Sequence, residues 1–472
     1  MRPHPSEGRG VALFSTVPHL ELPTRLTSLK ITLEGDLGCL LAAIRRHGWY
    51  ATAKQTKDPN GDRGLALKSD RLRSLELFAG AGGLALGTEL AGFHTVAAVE
   101  KDKWAAETLE ENKARGFPLV KDIRVICGDV RALEYSEFPE GLDLVSGGPP
   151  CQPFSIGGKH KAYNDDRDMF SVFADVVANL KPRSFIIENV KGLTRAAFAN
   201  YLAYIEHRMS MPEVYKKPGE AWWEHLKRLE QTKTSTEGGL RYNVARQLFD
   251  AADFGAAQRR ERVFIVGFRS DQNVHWHFPE PTHSIDALLH DQWISGEYWD
   301  RHKVEQRLRG GVPERYIGRV AALRGRNEFE SRSPWMTVRD ALQSLPAPHM
   351  DGSEMPGVLN HRFQPGARPY VGHTGSHIDW PSKALKAGDH GVPGGENMMV
   401  LPNGAVRYFT VREAARIQGF PDGYVFHGAW SETMRQLGNA VPVRLAQSVA
   451  SSVAQKLLEA DLASLAHKQS LH

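Results

Sequence analysis

LELFAGAGGLALG, residues 75–87, is the stretch on which the reading of the whole chain turns. It opens as an apolar strand, Leu75–Phe78, and continues with helical spacing from Leu84 to Leu90. Gly80, Gly82 and Gly83 fall between the two, at a strand-to-helix turn. Glycine there lets the backbone approach a ligand closely. The run fits G-x-G-x-x-G with Ala85 in the last position, a variant the dinucleotide fingerprint tolerates. The turn alone therefore does not separate a dinucleotide from another adenosine cofactor.

Downstream, short apolar runs alternate with helical segments. Thr95–Val99 precedes Trp104–Lys113; Val125–Ile126 and Leu142–Val145 follow; Met169–Leu180 precedes Phe185–Ile187; Arg262–Phe268 is the last strand. This alternation predicts parallel βαβ units and an α/β fold, an open and mostly parallel sheet with helices on both faces. The second strand ends in AAVEKD, which places Glu100 about one βαβ unit after the glycine turn, where a carboxylate can accept from ribose hydroxyls. The third ends in CGDV, where Asp129 can accept from an adenine amino group. Ligands of such sheets bind at these strand ends, so the three features in register point to an adenosine cofactor.

The fourth strand, LDLVSGG, runs into PPCQPFS (149–155). Pro149, Pro150 and Pro153 stiffen this loop, because proline fixes φ and removes a donor. Cys151 is thereby presented at a defined angle at the carboxyl edge of the sheet. SFIIENV ends in Glu188 at the same edge. QRRERVFIVGF (258–268) opens the last strand, and alternation puts Arg260 and Arg262 on one face of it.

FAGAGG, PPCQPFS, IIENV, QRRERVFIVGF, FTVREAARIQGFPD and QLGNAVP occur here in the order found in DNA cytosine-5 methyltransferases. The chain resembles that family, of bacterial restriction-modification type, over about residues 72–283 and 405–450. The resemblance implies the S-adenosylmethionine-dependent methyltransferase fold with a smaller, irregular target-recognition domain. It implies Cys151 as nucleophile, Glu188 as its acid partner, and Arg262 with Arg260 holding the base and the cysteine loop. Phe78, Ala79, Gly80, Gly82, Glu100, Asp129, Val130, Pro149 and Asn439 would line the pocket for S-adenosyl-L-methionine. Gln152, Ser155, Arg362, Arg368 and His373 are the expected DNA-contacting residues. No metal is expected.

The chemistry of the residues agrees with this. Carbon 5 of cytosine is a poor nucleophile; a thiolate adding at carbon 6 makes it an enamine carbon, dividing one hard step into easier ones. Electrons move toward N3, where an acid such as Glu188 must protonate or hydrogen-bond. Arginine suits the developing charge at the position-2 carbonyl. The ring must be attacked face-on, so the cytosine must leave the duplex stack. The segment SIGGKHKAYNDDRD (155–168) reads as a mobile loop that closes over DNA.

The expected organisation is an N-terminal extension (1–70), a catalytic and cofactor-binding domain (71–283), a target-recognition domain (284–405) and a C-terminal segment packing back on the catalytic domain (406–472). Within the extension, Leu37–His47 reads as a helix and Thr52–Lys68 as loop. Residues 196–240 read as an inserted helical hairpin, with Glu220–Thr232 a solvated helix. Leu457–His472 reads as a helix end.

With 472 residues, 41% hydrophobic and 24% charged, the composition is that of a globular protein, and a net charge of +4 permits nucleic-acid binding without arguing for it. Cys39, Cys127 and Cys151 are too few and too scattered for a disulfide framework or a zinc site, which suits a reducing, cytoplasmic setting. No run approaches the roughly 20 apolar residues of a membrane helix. The expected partners are double-stranded DNA and a cognate restriction endonuclease acting on the same site, with the protein a nucleoid-associated monomer. Three other readings use the same residues: a transfer-RNA cytosine-5 methyltransferase, a non-catalytic DNA-binding relative, and a dinucleotide-dependent oxidoreductase.

Overall fold

The computed structural model describes residues 52–57, 63–68, 71–150, 168–233, 239–325, 331–371, 374–388 and 397–470. Its centre is a seven-stranded sheet: β1 (Leu72–Leu77), β2 (Phe93–Glu100), β3 (Arg124–Cys127), β4 (Leu144–Gly147), β5 (Ser184–Val190), β6 (Tyr242–Asp250) and β7 (Glu261–Arg269), in the order 3-2-1-4-5-7-6. β7 runs antiparallel to both β5 and β6, while the pairings among β1 to β5 are parallel. The order reverses between β1 and β4. That is the topological switch point, where a ligand crevice opens beyond the strand ends.

The sheet is covered on both faces, so its central strands are buried almost throughout. Leu75, Leu77, Val145 and Ile187 face α3 (Met169–Leu180) and α4 (Ala199–Ser210). Leu72, Leu144, Ile186 and Phe264 face α9 (Val443–Ser470), which also lies on α1 (Gly83–Leu90). An added Cβ at Gly87 would collide with Ala446 and come within 2.8 Å of the Gln447 amide, so glycine lets α1 and α9 touch. α2 (Lys103–Ala114) starts where Asp102 caps its first turn, accepting from Ala105 N at 3.0 Å.

Several expectations need correction. Thr52–Lys57 and Arg63–Lys68 form an antiparallel pair, not a loop. Leu37–His47 lies outside the described residues. The 196–240 insert is helical, in α4 and α5 (Trp222–Lys233), as expected, but α5 is solvated on one face only. Trp222 packs on Tyr201 and Tyr204, and His225 and Leu229 are fully buried. β6 was absent from the sequence reading. It is the edge strand, with a mostly exposed pattern that shows little apolar periodicity. The expected helix end is present, since α9 runs to Ser470, and it is docked: Leu457 is buried and Asp461 pairs with Arg183 at 2.6 Å.

Beyond β7, α6 (Ile285–Trp293) and shorter helices form a small second body around Leu288, Leu289 and Trp299. The chain then returns to the sheet. Ser382–Lys383 pairs in parallel with Gln258–Arg259. α7 (Val411–Ile417) carries a capping box from Thr410 and Glu413, and α8 (Trp430–Asn439) ends beside the switch point.

Candidate active site

One cleft of ≈1080 Å³ opens above the carboxyl ends of the sheet. Phe78, Ala79, Gly80, Glu100, Asp129 and Val130 line one end of it. The turn after β1 is held by Ala79 N donating to Val99 O at 3.1 Å and by Tyr424 Oη donating to Ala81 O at 2.7 Å. Phe78 takes φ of +53° and Gly80 of +54°, two left-handed residues that bend the chain sharply away from the sheet. Gly82 caps α1 at φ +90° and is not among the lining residues; Gly83 is.

Glu100 accepts from Gly80 N at 2.7 Å and from Asp102 N at 2.6 Å, one bond to each oxygen. Burial raises its pKa and these bonds oppose the rise. Asp129 is gripped by Arg131, whose Nε donates at 2.9 Å and Nη2 at 2.7 Å, and by Lys101 Nζ at 3.0 Å. Bonding to Arg131, aided by Lys101, holds this carboxyl far below its usual range. A ligand group that donates to this aspartate is therefore met by an ionised carboxylate under a cationic rim. Neither cation was singled out in the sequence, although Arg131 stands two residues after Asp129.

The floor of the cleft is acidic and basic together. Glu188 is 6% exposed, and Arg262 Nε lies 2.7 Å from its Oε1. The N–H is not aimed at that oxygen, which has no hydrogen-bond donor among the described residues. Burial pushes the Glu188 carboxyl up, against the pull of Arg262 and Arg260. Gly148 stands directly over it: a Cβ there would sit 3.0 Å from Glu188 Oε2. Asn189 Nδ2 donates to Pro149 O at 2.8 Å, anchoring the start of the Pro149–Pro150 turn. Both prolines line the cleft, as do Arg260, Arg262 and Asn439.

Arg260 lines the cleft as expected but is held by the backbone. Its Nη1 donates to Leu385 O at 2.8 Å and its Nη2 to Gly438 O at 2.5 Å, so both ends of the guanidinium are taken up by backbone carbonyls. Only Nε, buried and without a partner among the described residues, is left over. Glu76, overlooked in the sequence, also lines the cleft; it is 1% exposed and accepts from Ser146 Oγ. Arg362 and Arg368 are exposed and do not line the cleft; Arg362 Nε donates to Gly352 O at 3.1 Å. Cys151, Gln152, Ser155 and His373 lie outside the described residues, as does all but the last residue of the 155–168 loop.

A mostly parallel sheet of this order, with a carboxylate-lined cleft at its switch point, defines an α/β methyltransferase fold. The sequence profile described as "C-5 cytosine-specific DNA methylase" matches residues 72–212 and 224–455. The chain belongs to this family, and its reaction is methylation of cytosine at carbon 5 in DNA. Among curated relatives, the Type II methyltransferase M.Sau96I of Staphylococcus aureus is 30% identical over 393 residues, 81% of this chain and 75% of the relative. M.XorII of Xanthomonas oryzae pv. oryzae is 30% identical over 391 residues, covering 81% and 84%. M.PspPI of Psychrobacter sp. is 29% identical over 411 residues, covering 83% and 82%. A solved DNA modification methyltransferase encoded within an E. coli prophage matches 82% of this chain and 99% of its own at 21% identity, with a TM-score of 0.48. The family implies a methyl donor. No helix among the described residues is long and apolar enough to cross a membrane.

Proposed function

We propose that the protein methylates cytosine in a specific duplex sequence by everting the base and adding Cys151 to carbon 6, with S-adenosyl-L-methionine as donor. The observation that carries this is the buried Glu188–Arg262 pair on the floor of a cleft whose other end is lined by Glu100 and Asp129. The residues present fit that cofactor. Glu100 and Asp129 supply acceptors at the ends of adjacent strands, Gly80 leaves open space beside the turn, and Asn439 closes the far wall. When bound, the cofactor supplies a methyl group on a positively charged sulfur.

This chain's own residues do the rest. Cys151 follows Pro150, which lines the cleft, and we assign its sulfur as the nucleophile that adds to the everted ring. Glu188, raised by burial, is suited to carry a proton to N3 as electrons shift there. Arg262 balances charge at the position-2 oxygen and keeps Glu188 in place. The ionisation of Cys151 draws on the positive charge of Arg262.

The named relatives are Type II methyltransferases, and by analogy we assign this protein to protecting host DNA, in the cytoplasm, from a cognate endonuclease. The test is incorporation of labelled methyl groups into duplex DNA and into transfer RNA. Label on DNA, lost in Cys151→Ser with cofactor binding intact, is the expected result. Label on RNA alone, or full turnover by Cys151→Ser, would overturn the reading.

A further inference from the structure

Residues 376–388 lie within the region expected to recognise DNA, yet both of their ends are tied down, each to a different part of the molecule. At the first end, Arg339 N donates to Ile378 O at 2.8 Å and Val338 N to Trp380 O at 2.9 Å. Asp379, 4% exposed, accepts from Tyr298 Oη at 2.8 Å and from Arg339 Nε at 2.6 Å, and its carbonyl accepts from Gln292 Nε2 at 2.7 Å. Tyr298 and Gln292, which hold Asp379, belong to the small second body, while Val338 packs in the cluster that also contains Leu385 and Leu437. A buried carboxylate that accepts from Tyr298 Oη and from both Nε and Nη2 of Arg339, the latter at 3.1 Å, is a rigid joint, because losing the guanidinium leaves charge uncompensated.

At the second end, Ser382–Lys383 pairs with Gln258–Arg259 beside β7. Gln258, fully buried, accepts from Leu385 N at 2.8 Å and donates to Gln418 Oε1 at 3.0 Å. Gln418 in turn donates to Leu437 O at 2.5 Å. Arg260 bridges Leu385 O and Gly438 O. Gly438 has no room for a side chain: a Cβ would stand 2.5 Å from Ala387 Cα. The outcome is that Ala384 to Ala387 form a wall of the cleft, directly against the Gly438–Asn439 end of α8.

We propose that residues 376–388 are the mechanical link between DNA engagement and the cofactor cleft, with Asp379 fixing one end and Gln258 and Arg260, as positioning residues, fixing the other. The link rests on the methyltransferase reading above, which puts DNA on the second body and the cofactor beside Asn439. Close-packed elements transmit displacement instead of absorbing it. A shift of the second body on DNA therefore moves the Ala384–Ala387 wall. Binding of DNA and of cofactor are then coupled, and coupling is reciprocal.

The experiment measures the affinity of S-adenosylhomocysteine by calorimetry, with and without a duplex bearing a cytosine that the enzyme methylates. DNA should tighten that affinity on the order of 10-fold in the wild type, within the usual range for coupled sites. Asp379→Asn and Gln258→Leu should each reduce the factor to near one while the affinity for each ligand alone changes by less than about 3-fold. Arg339→Gln, at a partly exposed position, should give the same loss with less risk to folding, and melting temperatures show which variants are folded. An uncoupled wild type, or folded variants that keep the full factor, would overturn the link. Absence of any DNA methylation would instead overturn the functional reading itself.

Discussion

Glu76→Gln tests the electrostatics of the buried sheet. Glu76 sits near the carboxyl end of β1 and accepts a hydrogen bond from Ser146 Oγ. Its register partner is Ser146, and Gly148, two residues on, stands over Glu188. Burial, reinforced by the neighbouring Glu188 charge, lifts its pKa from 4.5 to about 8. An acid whose pKa rises on folding is held neutral in the fold. Its contribution is fully present below 4.5 and is lost as pH rises through the folded value, because only the native state retains the proton in that window. Each pH unit costs about 1.4 kcal/mol, and the window is about three and a half units wide. The loss approaches about 5 kcal/mol by pH 8. Glutamine keeps an acceptor for Ser146 and cannot ionise. Urea unfolding at pH 5, 6, 7 and 8 should find the variant and wild type close at pH 5, and the variant progressively more stable above it. Parallel stability profiles across that range would refute a buried, neutral Glu76.

Arg262→Leu leaves Glu188 buried without its counter-charge; it should cost about 3 kcal/mol in unfolding free energy and lower kcat at least ~100-fold, read by calorimetry and methyl-transfer kinetics. Gly87→Ala forces a Cβ into Ala446 and should destabilise by about 1–3 kcal/mol, seen as a lower Tm with kcat at permissive temperature unchanged. His225 is buried against Tyr204 and Val214 O, and burial lowers its pKa to about 4. Its contribution is present above 6.5 and is lost as pH falls toward 4, so amide protection factors in α5, corrected for the intrinsic exchange rate at each pH, should fall over that interval in wild type and not in His225→Phe.

The sheet was legible because its central strands are apolar on both faces and each ends in a residue that chemistry can interpret. Leu75–Phe78, Phe185–Ile187 and Arg262–Phe268 are of this kind. β6 was not legible, since an edge strand with solvated side chains, such as Tyr242–Asp250, shows no period that distinguishes it from loop. In the insert, composition hides the buried face. Glu220–Thr232 is charged in composition, yet its buried stripe of Trp222, His225 and Leu229 contains two residues that composition counts as polar or amphipathic.

Within the site, Glu188, Arg262, Glu100 and Asp129 could be placed because strand ends converge by topology. The role of Arg260 could not, because its partners, the carbonyls of Leu385 and Gly438, lie 125 and 178 residues away and carry no side-chain signature. Gly148 was visible as a glycine but not as a seat for Glu188, which depends on two strands being neighbours. The Lys101–Asp129–Arg131 cluster depends in the same way on β2 lying beside β3.

The most direct measurement uses a duplex with 5-fluorocytosine at the methylated position, incubated with enzyme and S-adenosylmethionine, followed by peptide mapping of the trapped complex. The account predicts a stable adduct on the peptide containing Cys151. An adduct on Cys127 or Cys39, or none under conditions where the unmodified duplex is methylated, would contradict it.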